Sequence, residues 1–219
     1  MATKKKSKAG TAPERIRRNP ERTRARILEA ARVEFARRGL GGARVDQITA
    51  RAGSNKRMIY YYFGNKEALF LAALESAYAH IRKAEQSLEL IDLDPAAGMR
   101  RLVEFTWEYY LAHPEFITLL NSENLHRARH LKKSKDIQEM HSPLVATLED
   151  LLARGRRDGV FRDGVDPVQL YISIAALGYF YLSNTHTLST IFGRDLMQGA
   201  ALKKRLGHMT ELVLGYLAK

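Results

Sequence analysis

The stretch from Arg44 to Leu69, RVDQITARAGSNKRMIYYYFGNKEAL, constrains the fold more than any other part of the chain. Ile48 and Ala52 place apolar groups four residues apart, one face of a short helix. Gly53 then interrupts the pattern where a sharp turn calls for a residue without a Cβ. Asn55 has the side-chain oxygen of a helix N-cap, and Ile59, Tyr62 and Phe63 follow at i, i+3, i+4. With those three turned to a core, Lys56, Arg57, Tyr60 and Tyr61 face outward. Two short helices joined by a tight turn, the second carrying a cationic and aromatic face, make a helix-turn-helix. Its second helix enters the major groove, where Arg and Lys reach guanine acceptors and phosphates. The plain alternative is a solvated surface turn.

The distribution of charge supports the first reading. The net charge of +12 lies entirely in residues 1–65, which hold 17 Lys and Arg against 5 Asp and Glu; residues 66–219 hold 19 of each. A basic first third on a neutral body implies a polyanion-binding module attached to a part with a different task. Membrane phospholipid is the rival polyanion, but the helix ahead of the motif has too narrow an apolar face for it.

Within this stretch Ala52-Gly53, Asn55-Lys56, Ile59-Tyr60-Tyr61-Tyr62-Phe63 and Asn65-Lys66-Glu67-Ala68-Leu69 resemble the DNA-binding signature of the TetR family of bacterial transcriptional regulators. With the preceding helix, the resemblance covers about residues 20 to 75. Arg44 stands where the family usually caps the first motif helix with Thr, and Arg57 where a small residue is common. Both departures add a cation to the presumed DNA face. Base contacts are expected from Arg57 and, through a thymine methyl, Met58, and phosphate contacts from Lys56, Tyr60, Tyr61 and Lys66; Arg44 can serve either role.

Around the motif, the chain reads as helix throughout. Residues 1–18 are basic with almost no apolar side chains, expected to be a disordered arm, either a solubility tail or a phosphate-following one. No apolar segment follows them, so they do not form a secretory signal. Asn19-Pro20 opens a helix whose stripe is Ile27, Leu28, Ala31 and Phe35, with Arg22, Arg24, Arg26 and Arg32 mostly off it and Gly39 ending it. A DNA-binding domain is therefore expected over 19–65, leaning on the next helix for core. Asn65 caps that helix, and Leu69, Phe70, Ala73, Leu74, Ala77, Tyr78 and Ile81 sustain it. Such a helix suits a connector carrying ligand-driven motion, as the resemblance implies.

The body, 66–219, shows no convincing strand alternation, so the fold is expected to be all-α. Val168 to Leu182 is apolar nearly all round, but about 22 Å at ~1.5 Å per residue is short of the ~30 Å of a bilayer, so a buried helix is expected. Leu202, Leu206, Met209, Val213 and Tyr216 form a helix-packing seam. Together with Leu170, Ile174, Leu177 and Tyr181 they are the candidate homodimer interface, as the resemblance implies, with monomer core as the alternative.

Chemistry is scarce. There is no cysteine, which excludes disulfides and thiol catalysis and fits the cytoplasm. Neither G-x-S-x-G nor a glycine-rich phosphate loop occurs, so no enzyme and no cofactor are expected. Glu123, His126 and His130 share a helical face, with His113 and His141 elsewhere, but a second Glu-x-x-His is missing; a polar rim is expected, not a metal site. His126 to Lys135 reads as a loop or mobile segment. Trp107, Tyr110, Phe116, Asn121, Asn124 and Tyr179 are the candidate lining of an effector pocket, plain core being the alternative for each. The function implied is a sequence-specific regulator, most often a repressor in the family, released from double-stranded palindromic DNA by a small molecule. A non-specific architectural DNA-binding protein is the alternative, and a helical enzyme or carrier a more distant one.

Overall fold

The computed structural model describes residues 20–219, so the basic arm and the expected Asn19 cap lie outside the described residues. Among those described, the chain is all-helical. Ten α-helices follow in order: α1 (Pro20–Gly42), α2 (Val45–Ala52), α3 (Lys56–Phe63), α4 (Lys66–Gln86), α5 (Pro95–Ala112), α6 (Pro114–Leu125), α7 (Ile137–Arg157), α8 (Pro167–Ser183), α9 (Thr185–Phe192) and α10 (Gly199–Leu217).

The boundaries follow from cap and turn chemistry. Pro20, Pro95, Pro114 and Pro167 each open a helix, where their missing N–H costs nothing. Side-chain oxygens of Asn55, Asn65, Asp94 and Asp166 accept from the first-turn N–H groups of α3, α4, α5 and α8. Gly39 adopts φ 62°, ψ 179° inside α1, and the chain resumes one further turn through Gly42. There the Leu40 N–H donates to Ser122 Oγ of α6, which fixes the kink to the body.

Two cores divide the molecule. The first joins Ile27, Ala31 and Phe35 of α1, Ile48 and Ile59 of the motif, Leu69, Phe70 and Leu74 of α4, and Phe116 and Leu119 of α6. Phe35 meets Phe70 edge-on, with ring centroids 5.1 Å apart. The head therefore leans on α6 as well as α4, and its core runs on across Asn65. The second core gathers Met99, Leu102 and Trp107 of α5, Leu148 and Leu151 of α7, Leu170 and Ile174 of α8, and Met209, Val213 and Leu217 of α10.

One expectation needs correction. Helix α8 is not buried all round: Leu170, Ile174 and Gly178 face the second core, while Val168, Ile172 and Phe180 are exposed. Its apolar composition serves two faces, one covered by α5 and α10 and one uncovered in the protomer. The 126–135 segment is a run of turns with one short 3-10 helix, Leu131–Lys133, and it is fastened to α4. Glu123 Oε1 accepts from the His130 and Leu131 N–H groups at 2.8 and 2.9 Å, His130 packs edge-on to Phe70, and Ser134 donates to Glu75. Helix α9 lies in a stretch where sequence periodicity marked no helix.

Candidate nucleic-acid interface

Helix α2 is short and starts without a side-chain cap at Arg44. Its entry is held instead by the Arg44 N–H donating to Glu34 Oε1 of α1 at 3.2 Å. Gly53 turns the chain in the left-handed region, φ 56°, ψ 43°, a conformation that a Cβ disfavours. Asn55 Oδ1 then accepts the Met58 N–H at 3.1 Å and starts α3. Ile59 and Phe63 are buried in the first core and fix the rotation of α3.

That rotation sets what faces out. Lys56, Arg57, Tyr60 and Tyr61 are exposed, while Met58 and Tyr62 are half-buried against the head core. Lys56 Nζ lies 2.8 Å from Asp46 Oδ1 across the turn, and this partner raises the ammonium pKa. The pair aligns α2 and α3 while leaving two ammonium protons for another acceptor. Lys66 Nζ donates to the Ala43 carbonyl at 2.8 Å, so it ties the α1–α2 junction to the start of α4. Arg44 projects at the exposed start of α2.

Arg57, Met58 and Tyr61 line one wall of an open cleft of about 690 Å³, whose other wall is Pro20, Thr23 and Arg26 of α1. The structure therefore brings Lys56, Arg57, Tyr60 and Tyr61 onto one surface, with Met58 at its inner edge, and sets Arg44 and Lys66 at the flanking helix starts. It adds Arg26, which sequence periodicity marked only as lying off the α1 stripe.

The expected pocket residues do not form one lining. Trp107 belongs to the second core, edge-on to Tyr181. Tyr110 and Phe116 stack in the first, with centroids 6.0 Å apart. Tyr179 donates to Asn121 Oδ1, and Asn124 is exposed. The group that periodicity missed is Arg82 and Glu85, buried on the inner face of α4 beside Tyr171 of α8. Their signal was available: they continue the Leu74, Tyr78, Ile81 stripe with charges at core positions.

The proposed dimer residues separate in the same way. Leu170, Ile174, Met209 and Val213 are buried within the protomer, although Leu170 and Val213 still edge the groove between α8 and α10. Leu177, Tyr181, Leu202 and Leu206 are half-buried and Tyr216 is exposed. The apolar side chains left exposed on these helices are Val168, Ile172 and Phe180 of α8 and Leu212 and Tyr216 of α10. A groove of about 500 Å³ runs between the two helices, lined by Leu170, Leu177, Phe180, Leu212, Val213 and Tyr216 among others. Sequence spacing located both helices, and four of the nine expected residues line this groove, but spacing could not say which apolar side chains stay exposed in the protomer. Among the described residues, no three His, Asp or Glu side chains gather as a metal-holding group, and no helix is long and apolar enough to cross a membrane.

Residues 27–73 match the model of the bacterial regulatory proteins of the tetR family, and residues 95–213 that of the tetracyclin repressor-like C-terminal domain. The chain belongs to the TetR family. It is a DNA-binding transcriptional regulator with the helix-turn-helix at its N-terminal end. Among relatives it is 43% identical over 194 residues to the HTH-type transcriptional repressor NicS of Pseudomonas putida, covering 89% of this chain and 92% of that one. It is 35% identical over 161 residues to the HTH-type transcriptional repressor SCO4008 of Streptomyces coelicolor, covering 73% and 78%. Among solved structures, a putative transcriptional regulator of Streptomyces coelicolor, SCO4942, superimposes with a TM-score of 0.65 at 26% identity, covering 89% of this chain and 98% of that chain. TetR-family regulators bind DNA and effectors and act as dimers.

Proposed function

We propose that this TetR-family regulator is a cytoplasmic repressor that binds a palindromic operator as a homodimer and leaves it when a small molecule enters the body. It acts by binding, without catalysis or a cofactor. The observation that carries the reading is the outward face of α3, where Lys56, Arg57, Tyr60 and Tyr61 are exposed on a helix held rigid by Ile59 and Phe63. Such a face offers guanidinium donors to base edges and ammonium and phenol donors to phosphates. One helix of this length reads few base pairs, so a two-fold pair is needed for a specific site.

The apolar α8–α10 face is the surface on which the second copy would sit. The relatives named repressors favour negative regulation for this chain. In this reading residues 19–65 form the DNA-binding domain and 66–219 the effector and dimerisation domain, and α4 joins them as one continuous helix from Lys66 to Gln86. A ligand that displaces α4 changes the separation of the two recognition helices.

The test compares a selected operator with random duplex by fluorescence anisotropy. Arg57→Ala is expected to cost ~1–3 kcal/mol on the operator and to relax preference at one base pair, while Lys56→Ala weakens both duplexes alike and lowers the salt slope by about one. Equal losses on the two duplexes for Arg57→Ala would refute its assignment as a base reader.

A further inference from the structure

The inner face of α4 carries a buried cation whose partners do not satisfy it. Arg82 and Glu85 are 4% and 6% exposed. Arg82 Nη2 donates to Tyr171 Oη of α8 at 2.8 Å, and the guanidinium lies over that ring, 5.3 Å from its centroid. Glu85 Oε2 comes within 2.9 Å of Arg82 Nη1, yet the two are misaligned for a hydrogen bond. Arg82 Nε, Arg82 Nη1 and Glu85 Oε2 therefore have no hydrogen-bond partner among the described residues.

A guanidinium cannot shed its charge, so this position holds a permanent cation in an apolar interior. Its ion-pair neighbour Glu85 is desolvated with it, and burial pushes that carboxyl up to about 7 against the pull of Arg82. Beside the pair is a cavity of about 30 Å³, lined also by Leu90 and by Met140, Pro143, Leu144 and Thr147. One turn back along α4, Tyr78 meets His141 and Phe116 edge-on at 5.3 and 5.4 Å, and Phe116 stacks on Tyr110. The unsatisfied donors thus sit next to a wall of rings.

We propose that this is the effector site, and that it takes a compact organic carboxylate whose anionic end replaces Glu85 on Arg82 while its body packs against the rings of Tyr78, His141 and Phe116. A carboxylate can accept two parallel N–H bonds from one guanidinium, a geometry that Glu85, three residues away on the same helix, does not reach. Entry requires the first turns of α7 to move outward. Pro143 lies in that part of α7 and has no N–H, so the Glu139 carbonyl lacks its helical partner and the wall is weakest there. The site touches the connector α4 and, through Tyr171, the helix α8 that carries the proposed dimer face.

The inference rests on the effector-released reading and deepens it. Its test uses the full chain without DNA: thermal shift and calorimetry with monocarboxylates from acetate to naphthoate, each beside its primary amide, and with inorganic phosphate. At least one carboxylate is expected to raise Tm and bind, with its amide and phosphate inert. Glu85→Gln removes the competing anion and should tighten that carboxylate by roughly tenfold; Arg82→Met combined with Glu85→Gln, which deletes both charges together, should weaken it by roughly tenfold to a hundredfold. Should the double variant fail to fold, Glu85→Gln alone still decides. No binding by any carboxylate, equal binding of acid and amide, preference for phosphate, or a Glu85→Gln affinity that is unchanged or weaker would overturn the proposal. Operator selection requires no carboxylate, so a protein that finds a palindrome but ignores the panel loses only this site. One that binds a carboxylate but selects no operator loses only the repressor reading.

Discussion

Replacing Phe180 by Asp places a charge at the centre of the uncovered α8–α10 face. Ile172, Phe180, Leu212 and Tyr216 are 51%, 59%, 46% and 47% exposed in the protomer. Complete burial of such side chains contributes about 1.5–3 kcal/mol, so covering the exposed half contributes about 1 kcal/mol each. Because a two-fold interface uses each side chain twice, the four supply about 8 kcal/mol, against an association cost of ~4–15 kcal/mol. The dimer thus has little surplus. Phe180→Asp forfeits about 2 kcal/mol across the pair and buries two carboxylates, adding at least a few kcal/mol more. The dimer dissociation constant should rise about a thousandfold or more. Sedimentation equilibrium measures it, and an unchanged far-UV spectrum is expected because position 180 already faces solvent in the protomer. A variant that dimerises within tenfold of wild type would refute placement of the interface on this face.

Three other perturbations follow from the geometry. Asn55→Ala removes the acceptor of the Met58 N–H and should cost about 1 kcal/mol of α3 stability, read as faster amide exchange in α3 and weaker binding to every duplex; unchanged exchange would contradict the cap's role. Gly155→Ala puts a Cβ 2.0 Å from Phe161 Cδ2, so the ring must leave its place in the second core; a loss of about 1–3 kcal/mol in urea melts is expected, exceeding the usual helical gain over glycine, and a more stable variant would contradict it. Glu85 is raised from 4.5 to about 7, so the folded state binds more protons than the unfolded one between those values. The stability from its protonated form is full below pH 4.5 and is lost as pH rises through 7, by about 1–3 kcal/mol; Glu85→Gln should flatten that slope between pH 5 and 8, and parallel slopes would refute it.

The head was legible in the sequence because its signals are local. Gly53 needs a left-handed turn, Asn55 and Asn65 cap the next N–H groups, and Ile59 with Phe63 fixes which side of α3 is dry. Each of those effects acts within one or two turns. Prolines set the starts of three body helices, α5, α6 and α8, for the same reason. What was not legible depends on contacts distant in sequence. Helix α8 has apolar residues on both faces, so composition could not say that Ile174 faces α5 and α10 while Ile172 faces outward. Trp107 and Tyr110 lie one turn apart on α5 yet enter different cores, which separated the expected pocket residues. Arg82 and Glu85 escaped notice because charged residues are ordinarily read as surface, although their positions continue the α4 stripe.

Two-fold, site-specific reading by α3 is tested by selecting bound duplexes from a random-sequence pool at near-physiological salt and sequencing them. A two-fold symmetric motif is expected, with half-sites centred about one helical turn, or a multiple of it, apart. Recovery of no motif, with binding that only fades as salt rises, would contradict it and leave the cationic face of α3 as a non-specific anchor.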